Sequence, residues 1–105
     1  MSLVTNVVLV VKDVDDVDDV LAVARLEQYL SHLGLPPLGE ASELAGGNKQ
    51  LEMGVYLGAF NHFDAEAFGE EFKRAGFSQY ACLSMYCDHK AWQYVCNPEK
   101  IEAAE

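Results

Sequence analysis

Apolar residues along this chain fall into blocks whose period changes from one block to the next, and those changes mark its elements. Leu3 to Val11 is rich in β-branched residues and apolar without a break from Val7 to Val11, which predicts a central strand buried on both faces. From there the spacing lengthens to three and four residues. Val17, Val20, Leu21, Ala24, Leu26, Leu30 and Leu33 predict the apolar stripe of a helix reaching about His32, closed by Gly34 and barred from resuming by Pro36-Pro37. Alternation returns between Leu51 and Phe60. Leu51, Met53, Val55, Leu57 and Ala59 point one way, and Glu52, Gly54, Tyr56, Gly58 and Phe60 the other. Gly46-Gly47-Asn48 just ahead of this strand is a turn signal, so Leu38 to Leu44 is expected as a short edge strand paired with it, with a helical turn at Ala41 to Ala45 as the alternative. Asp64 is the expected cap of a second helix, Ala65 to Ala75, which turns Ala67, Phe68 and Phe72 inward and ends at Gly76. Tyr80 to Cys87 and Trp92 to Cys96 form a last hairpin about Asp88-His89-Lys90. Asn97-Pro98 stops it, and residues 98–105 are expected as a frayed tail of a single domain.

The order β-α-β-β-α-β, plus one strand, predicts an α+β fold of the ferredoxin-like kind. This is a split βαβ sandwich, an antiparallel sheet with two helices on one face and an extra C-terminal strand. One face of such a sheet stays open. If the aliphatic half of the Leu51–Phe60 strand lies under the helices, then Gly54, Tyr56, Gly58 and Phe60 line the open side. The same logic sends Leu83, Met85, Cys87 and Val95 to the core, and Tyr80, Cys82, Ser84, Tyr86, Trp92, Tyr94 and Cys96 outward. Large aromatic rings bury about 150–250 Å² each, so three of them already exceed the apolar patch a monomer ordinarily exposes. The expected interface is therefore Gly54, Tyr56, Gly58, Phe60, Tyr80, Tyr86, Trp92 and Tyr94, covered foremost by a second copy in a homodimer. A basic protein and a small apolar ligand follow as occupants. The bland alternative is that the chain's own loop between Gly34 and Lys49, or its tail, folds over that face.

Charge narrows the partners. The 105 residues carry 17 acidic and 7 basic side chains, a formal charge of −10, and so repel the phosphate backbone that nucleic-acid binders must neutralise. An acidic inhibitor or immunity-type protein acting on a basic partner fits the same charge. The longest apolar run, Val7 to Val11, is too short to cross a bilayer, and no secretory leader pattern is present, so a cytoplasmic protein is expected without a membrane partner. Three cysteines cannot all pair within one chain, and in that compartment they are expected as thiols.

Candidate chemistry is sparse. Asn61-His62, after a strand and before a helix cap, is a candidate ligand turn, because an imidazole can serve as an acid or a base; the pattern reads equally as a turn with its cap. Asp13, Asp15 and Asp18 invite a calcium reading, but Val17 occupies a ligand position and the obligatory glycine is missing, so helix capping is the better account. Cys82, Cys87, His89 and Cys96 lack the paired-cysteine knuckle of structural zinc. With a three-residue turn, Cys82 and Cys96 would face each other across the hairpin. No nucleophile motif, phosphate loop or dinucleotide fingerprint occurs, so no catalytic residue, metal or cofactor is assigned.

The turn Gly46-Gly47-Asn48-Lys49, with Val55-Tyr56-Leu57-Gly58-Ala59-Phe60-Asn61 and Asp64, resembles a pattern in small acidic bacterial proteins of unknown function. The resemblance covers the middle third of the chain and implies neither an activity nor catalytic residues. Dimeric ferredoxin-like barrels include small-molecule enzymes and sensors. By analogy of fold alone, a site near His62 is the alternative to a pure interaction domain.

Overall fold

The computed structural model describes residues 3–41 and 44–101. Its elements are β1 (Val4–Val11), α1 (Val17–His32), β2 (Gly39–Glu40), β3 (Gly54–Asn61), α2 (Ala65–Arg74), β4 (Ala81–Cys87) and β5 (Lys90–Cys96), followed by a 3-10 turn at Pro98–Lys100. The strands form one antiparallel sheet in the order β2-β3-β1-β4-β5. A five-stranded antiparallel sheet with two helices is an α+β architecture compatible with the ferredoxin-like fold. β1 lies at its centre, as the unbroken valine run predicts.

Register divides every strand into two faces. On the helix side the rows run Gly54–Val11–Ala81–Cys96, Tyr56–Leu9–Leu83–Tyr94 and Gly58–Val7–Met85–Trp92. These rows join Ala22, Leu26 and Leu30 of α1, and Phe68 and Phe72 of α2, in one core. Phe63 stacks on Phe60 at 4.9 Å between centroids and meets Phe68 edge-on at 5.2 Å, extending the core to the β3–α2 turn.

Three expectations are corrected by this register. β3 is turned over: Tyr56 and Phe60 face the helices, and Val55, Leu57 and Ala59 face away. Both halves of this strand are apolar, so alternation alone could not choose between them. The larger rings bury more area. The glycines make room for those rings, since a Cβ on Gly54 would stand 3.0 Å from the Tyr56 ring and one on Gly58 2.9 Å from that of Phe60. The segment ahead of β3 does cover part of that face, because Leu38 is buried and its side chain lies against Gly58. β5 is also turned over. The hairpin turn is two residues, Asp88-His89, with Lys90 already paired to Cys87. A one-residue change in a turn moves every later side chain to the other face, so Trp92, Tyr94 and Cys96 lie on the helix side of the sheet and Val95 on the other.

The third correction concerns α1. Its buried line is Asp19, Ala22, Leu26 and Leu30, whereas Val17, Val20, Leu21 and Leu33 are exposed, Val17 at 72%. Two apolar stripes overlap on this helix, and the one with Leu26, Leu30 and the half-buried Tyr29 sets its rotation. Smaller differences follow. β1 is buried on one face only, with Val8 and Val10 half-buried on the other. Leu51 and Met53 precede β3 and are exposed. The expected edge strand is reduced to the two residues of β2, prolonged by Ala41 N donating to Val55 O at 2.8 Å. Leu44 N donates to Ala41 O at 3.1 Å, while the rest of the alternative helical turn includes residues 42 and 43, outside the described residues, as are 102–105 of the expected tail.

Candidate functional site

The expected caps form. Asp16 accepts from Asp19 N and starts α1, and Asp64 accepts from Ala67 N and starts α2. Within the aspartate cluster the Asp13 carboxylate makes a similar local bond, accepting from Asp15 N at 3.0 Å. Asp19 is the exception, a carboxylate fully buried in the first turn of α1. Its Oδ1 accepts from Ser78 N at 2.7 Å, Ser78 Oγ at 3.3 Å and Gln79 N at 3.3 Å, while its Oδ2 has no hydrogen-bond partner among the described residues. Ser78 Oγ also donates to Asp16 at 2.8 Å. Asn97 donates to Phe77 O at 2.7 Å and Gln79 O at 2.8 Å. These contacts clamp the start of α1 and the end of β5 onto the segment leading into β4. Asp19 lines neither of the two cavities described below, so its role here is to hold α1 against Ser78-Gln79.

The residues expected on the open face separate. Gly54, Tyr56, Gly58, Phe60, Trp92 and Tyr94 lie on the helix side. Tyr80 is half-buried just before β4, with its carbonyl accepting from Lys12 N at 3.0 Å. Tyr86, 51% exposed, remains on the open face, as do Cys82 and Ser84 of the same strand. Tyr94 packs so close over Gly69 of α2 that a Cβ there would clash with Cζ and Cε2 of the ring, and Lys73 Nζ stands 5.2 Å from the centre of the same ring.

Three rows of four now define the open face: Val55–Val10–Cys82–Val95, Leu57–Val8–Ser84–Gln93 and Ala59–Asn6–Tyr86–Ala91. No residue in them carries a charge. A solvated antiparallel face ordinarily alternates to polar side chains; here Asn6, Ser84 and Gln93 interrupt a surface otherwise made of aliphatic side chains, the Cys82 thiol and the Tyr86 ring. Their bonds are local, Asn6 Nδ2 to Tyr86 O at 3.3 Å and Gln93 Nε2 to Cys82 Sγ at 3.7 Å. Leu57, Tyr86 and Val95 are each more than two-fifths exposed. The signal for this face was Asn6 in the first strand, whose parity marks the solvent side there and, through pairing, in β3 as well.

Asn61-His62 is a turn. His62 takes φ +53, its N–H donates to Leu3 O at 3.1 Å to close the β3–β1 ladder, and its side chain is exposed. Cys82 pairs with Val95, and Cys96 with Ala81, so the two thiols lie on opposite faces. All three cysteines are free and half-buried. Burial, and then the Asp19 carboxylate, push the Cys96 thiol above its ordinary pKa. Among the described residues no group of three metal-ligating side chains assembles.

Two cavities open on the described surface. A groove of 340 Å³ between α1 and α2 is lined by Arg25, Tyr29, His32, Glu71, Arg74 and Ala75, with other residues of α1. Its cations are engaged, Arg25 with Ala75 O at 2.6 Å and Arg74 with Glu71 at 2.8 Å. A second cavity of 440 Å³ lies at the hairpin tip, lined by Leu3, Cys87, Asp88, His89, Lys90 and Trp92. His62 lines neither. Among the described residues no helix is long and apolar enough to cross a membrane.

Among the described residues, fold and surface together define an α+β domain with an uncovered sheet face whose three paired rows carry no charge, and with no assembled catalytic group. Compared with protein-family models, curated proteins and solved structures, the chain matches none.

Proposed function

We propose that this chain is a non-enzymatic interaction domain that pairs with a second copy of itself through the open face of its sheet. The observation that carries this reading is the absence of charge from all three open rows, in a chain whose formal charge is −10. With strands about 4.8 Å apart and about 3.3 Å of rise per residue, those rows span roughly 400 Å² in projection. Side-chain relief adds to that figure, bringing it toward the roughly 600 Å² per partner at which specific interfaces begin. Sheet-on-sheet packing of two such faces is self-complementary, as a two-fold dimer requires.

The exposed stripe Val17, Val20, Leu21 on α1 is a weaker candidate. It borders Asp13, Asp15 and Asp18, so pairing two copies there would bring acidic clusters together. A basic partner finds its complement in those acidic residues rather than in the open face, and the inhibitor-type version of the reading is correspondingly less favoured. Nucleic acid is disfavoured by the same charge. The domain is read as a split βαβ unit with β5 appended beside β4, working in the cytoplasm with its thiols reduced. Sedimentation equilibrium tests the pairing: the wild type is expected to dimerise at tens of micromolar, roughly. Leu57→Asp, at a position 44% exposed in the single chain, is expected to give a folded monomer. A wild type that stays monomeric at high micromolar concentration ends the proposal.

A further inference from the structure

The helix layer stops short of the hairpin tip. Gly69 of α2 sits over Tyr94. The next row toward the tip is Met85–Trp92, and beyond it comes Cys87–Lys90. By strand parity Leu3, Cys87 and Trp92 all lie on the helix side, and the 440 Å³ cavity opens among them. Trp92, the single tryptophan of the chain, is only half-buried there. From the cavity and its lining we infer a small-molecule site at the β4–β5 tip, taking a neutral, flat, apolar ligand against the Trp92 ring.

The volume falls in the lower part of the range for small-molecule sites, about 300–1,000 Å³. Such sites are apolar with a few polar groups at the rim, and here Leu3, Cys87 and Trp92 supply the apolar wall. At the rim Asp88 and Lys90 have opposite charges, and His89 Nε2 stands 3.7 Å from Asp88. The lining is balanced, so a charged ligand meets one repulsive group for each attractive one. A neutral ring loses the least on leaving water and gains the indole face. This site is independent of the proposed pairing, since it lies on the helix side of the sheet, opposite the open rows.

The test is a titration of ¹⁵N-labelled protein with indole, using indole-3-acetate and tryptamine as the anionic and cationic arms. Indole is expected to shift the Trp92 Nε1–H signal and the amides of Cys87 and Lys90 saturably. The dissociation constant should be on the order of 1 mM, ordinary for about nine non-hydrogen atoms. Both charged arms are expected to bind roughly tenfold more weakly or worse. Saturating indole should also slow alkylation of Cys87 and leave Cys82, on the opposite face, unchanged. Cys87→Leu, which fills the cavity from its wall, should abolish the shifts while the rest of the spectrum stays folded. Shifts that do not saturate, or that map to the open rows, overturn the site. Tighter binding of either charged arm overturns the ligand class.

Discussion

Gly69 sits in the middle of α2, where glycine costs about 1 kcal/mol of helix propensity relative to alanine. The structure keeps it because the Tyr94 ring occupies the place of its side chain. Gly69→Ala is therefore expected to destabilise by about 1–3 kcal/mol through overpacking. In a Tyr94→Val background the same change should become neutral or stabilising by up to about 1 kcal/mol. Denaturant midpoints of the four proteins in this cycle measure the reversal, and a Gly69→Ala that stabilises both backgrounds refutes the packing account. Asp16 makes a pH prediction at the same scale. The Ser78 hydroxyl and the capped amides of α1 hold its carboxyl below the usual value of 3.8 against an opposing desolvation. A lowered folded pKa contributes stability above the unfolded value, and that stability is lost as pH falls through the lowered one. Asp16→Asn retains a capping side chain but cannot ionise. Its melting temperature should lie below wild type at neutral pH and converge with it in strong acid.

Between elements, the β4–β5 hairpin decides the most. A two-residue turn with Asp88 at φ +56 sets a register in which Cys96 lies beneath α2 and Cys82 outside it. Alkylation followed by mass spectrometry should modify Cys87 first and Cys96 last, because burial and Asp19 keep the Cys96 thiol protonated. Mild oxidation should give no intramolecular Cys82–Cys96 disulfide. The same hairpin explains what the sequence concealed. Helix ends, the central strand and α2's inward Phe68 and Phe72 were legible, because caps, a valine run and glycine stops each have one local reading. The inward side of β4 was legible too, since Leu83 and Met85 outweigh Ser84. The face of β5 was not, because it hangs on whether Lys90 belongs to the turn or the strand. Nor was that of β3, where Val55-Leu57-Ala59 and Tyr56-Phe60 are both apolar enough to bury. Since the expected interface was drawn from those two strands, the open face survived in the structure while most of its residues changed.

For the molecule as a whole, charge and apolar surface make separable demands. Two copies of a chain at −10 repel one another at long range, so salt should strengthen the dimer. Raising ionic strength from about 0.01 M to about 0.1 M shortens the screening length from about 30 Å to about 10 Å. Sedimentation across that range is expected to show tighter association, whereas a complex with a basic protein would weaken. The central place of β1 has a further consequence, for the order in which the protein is made. β1 leaves the ribosome ahead of both its partners, β3, ending at Asn61, and β4, ending at Cys87. Until β3 emerges its backbone groups have neither ladder, and until β4 emerges one of its two edges stays unpaired. Non-local pairing of this kind slows folding and leaves edges open to other nascent chains. The strand that ends most enclosed is the one that the growing chain must keep apart longest.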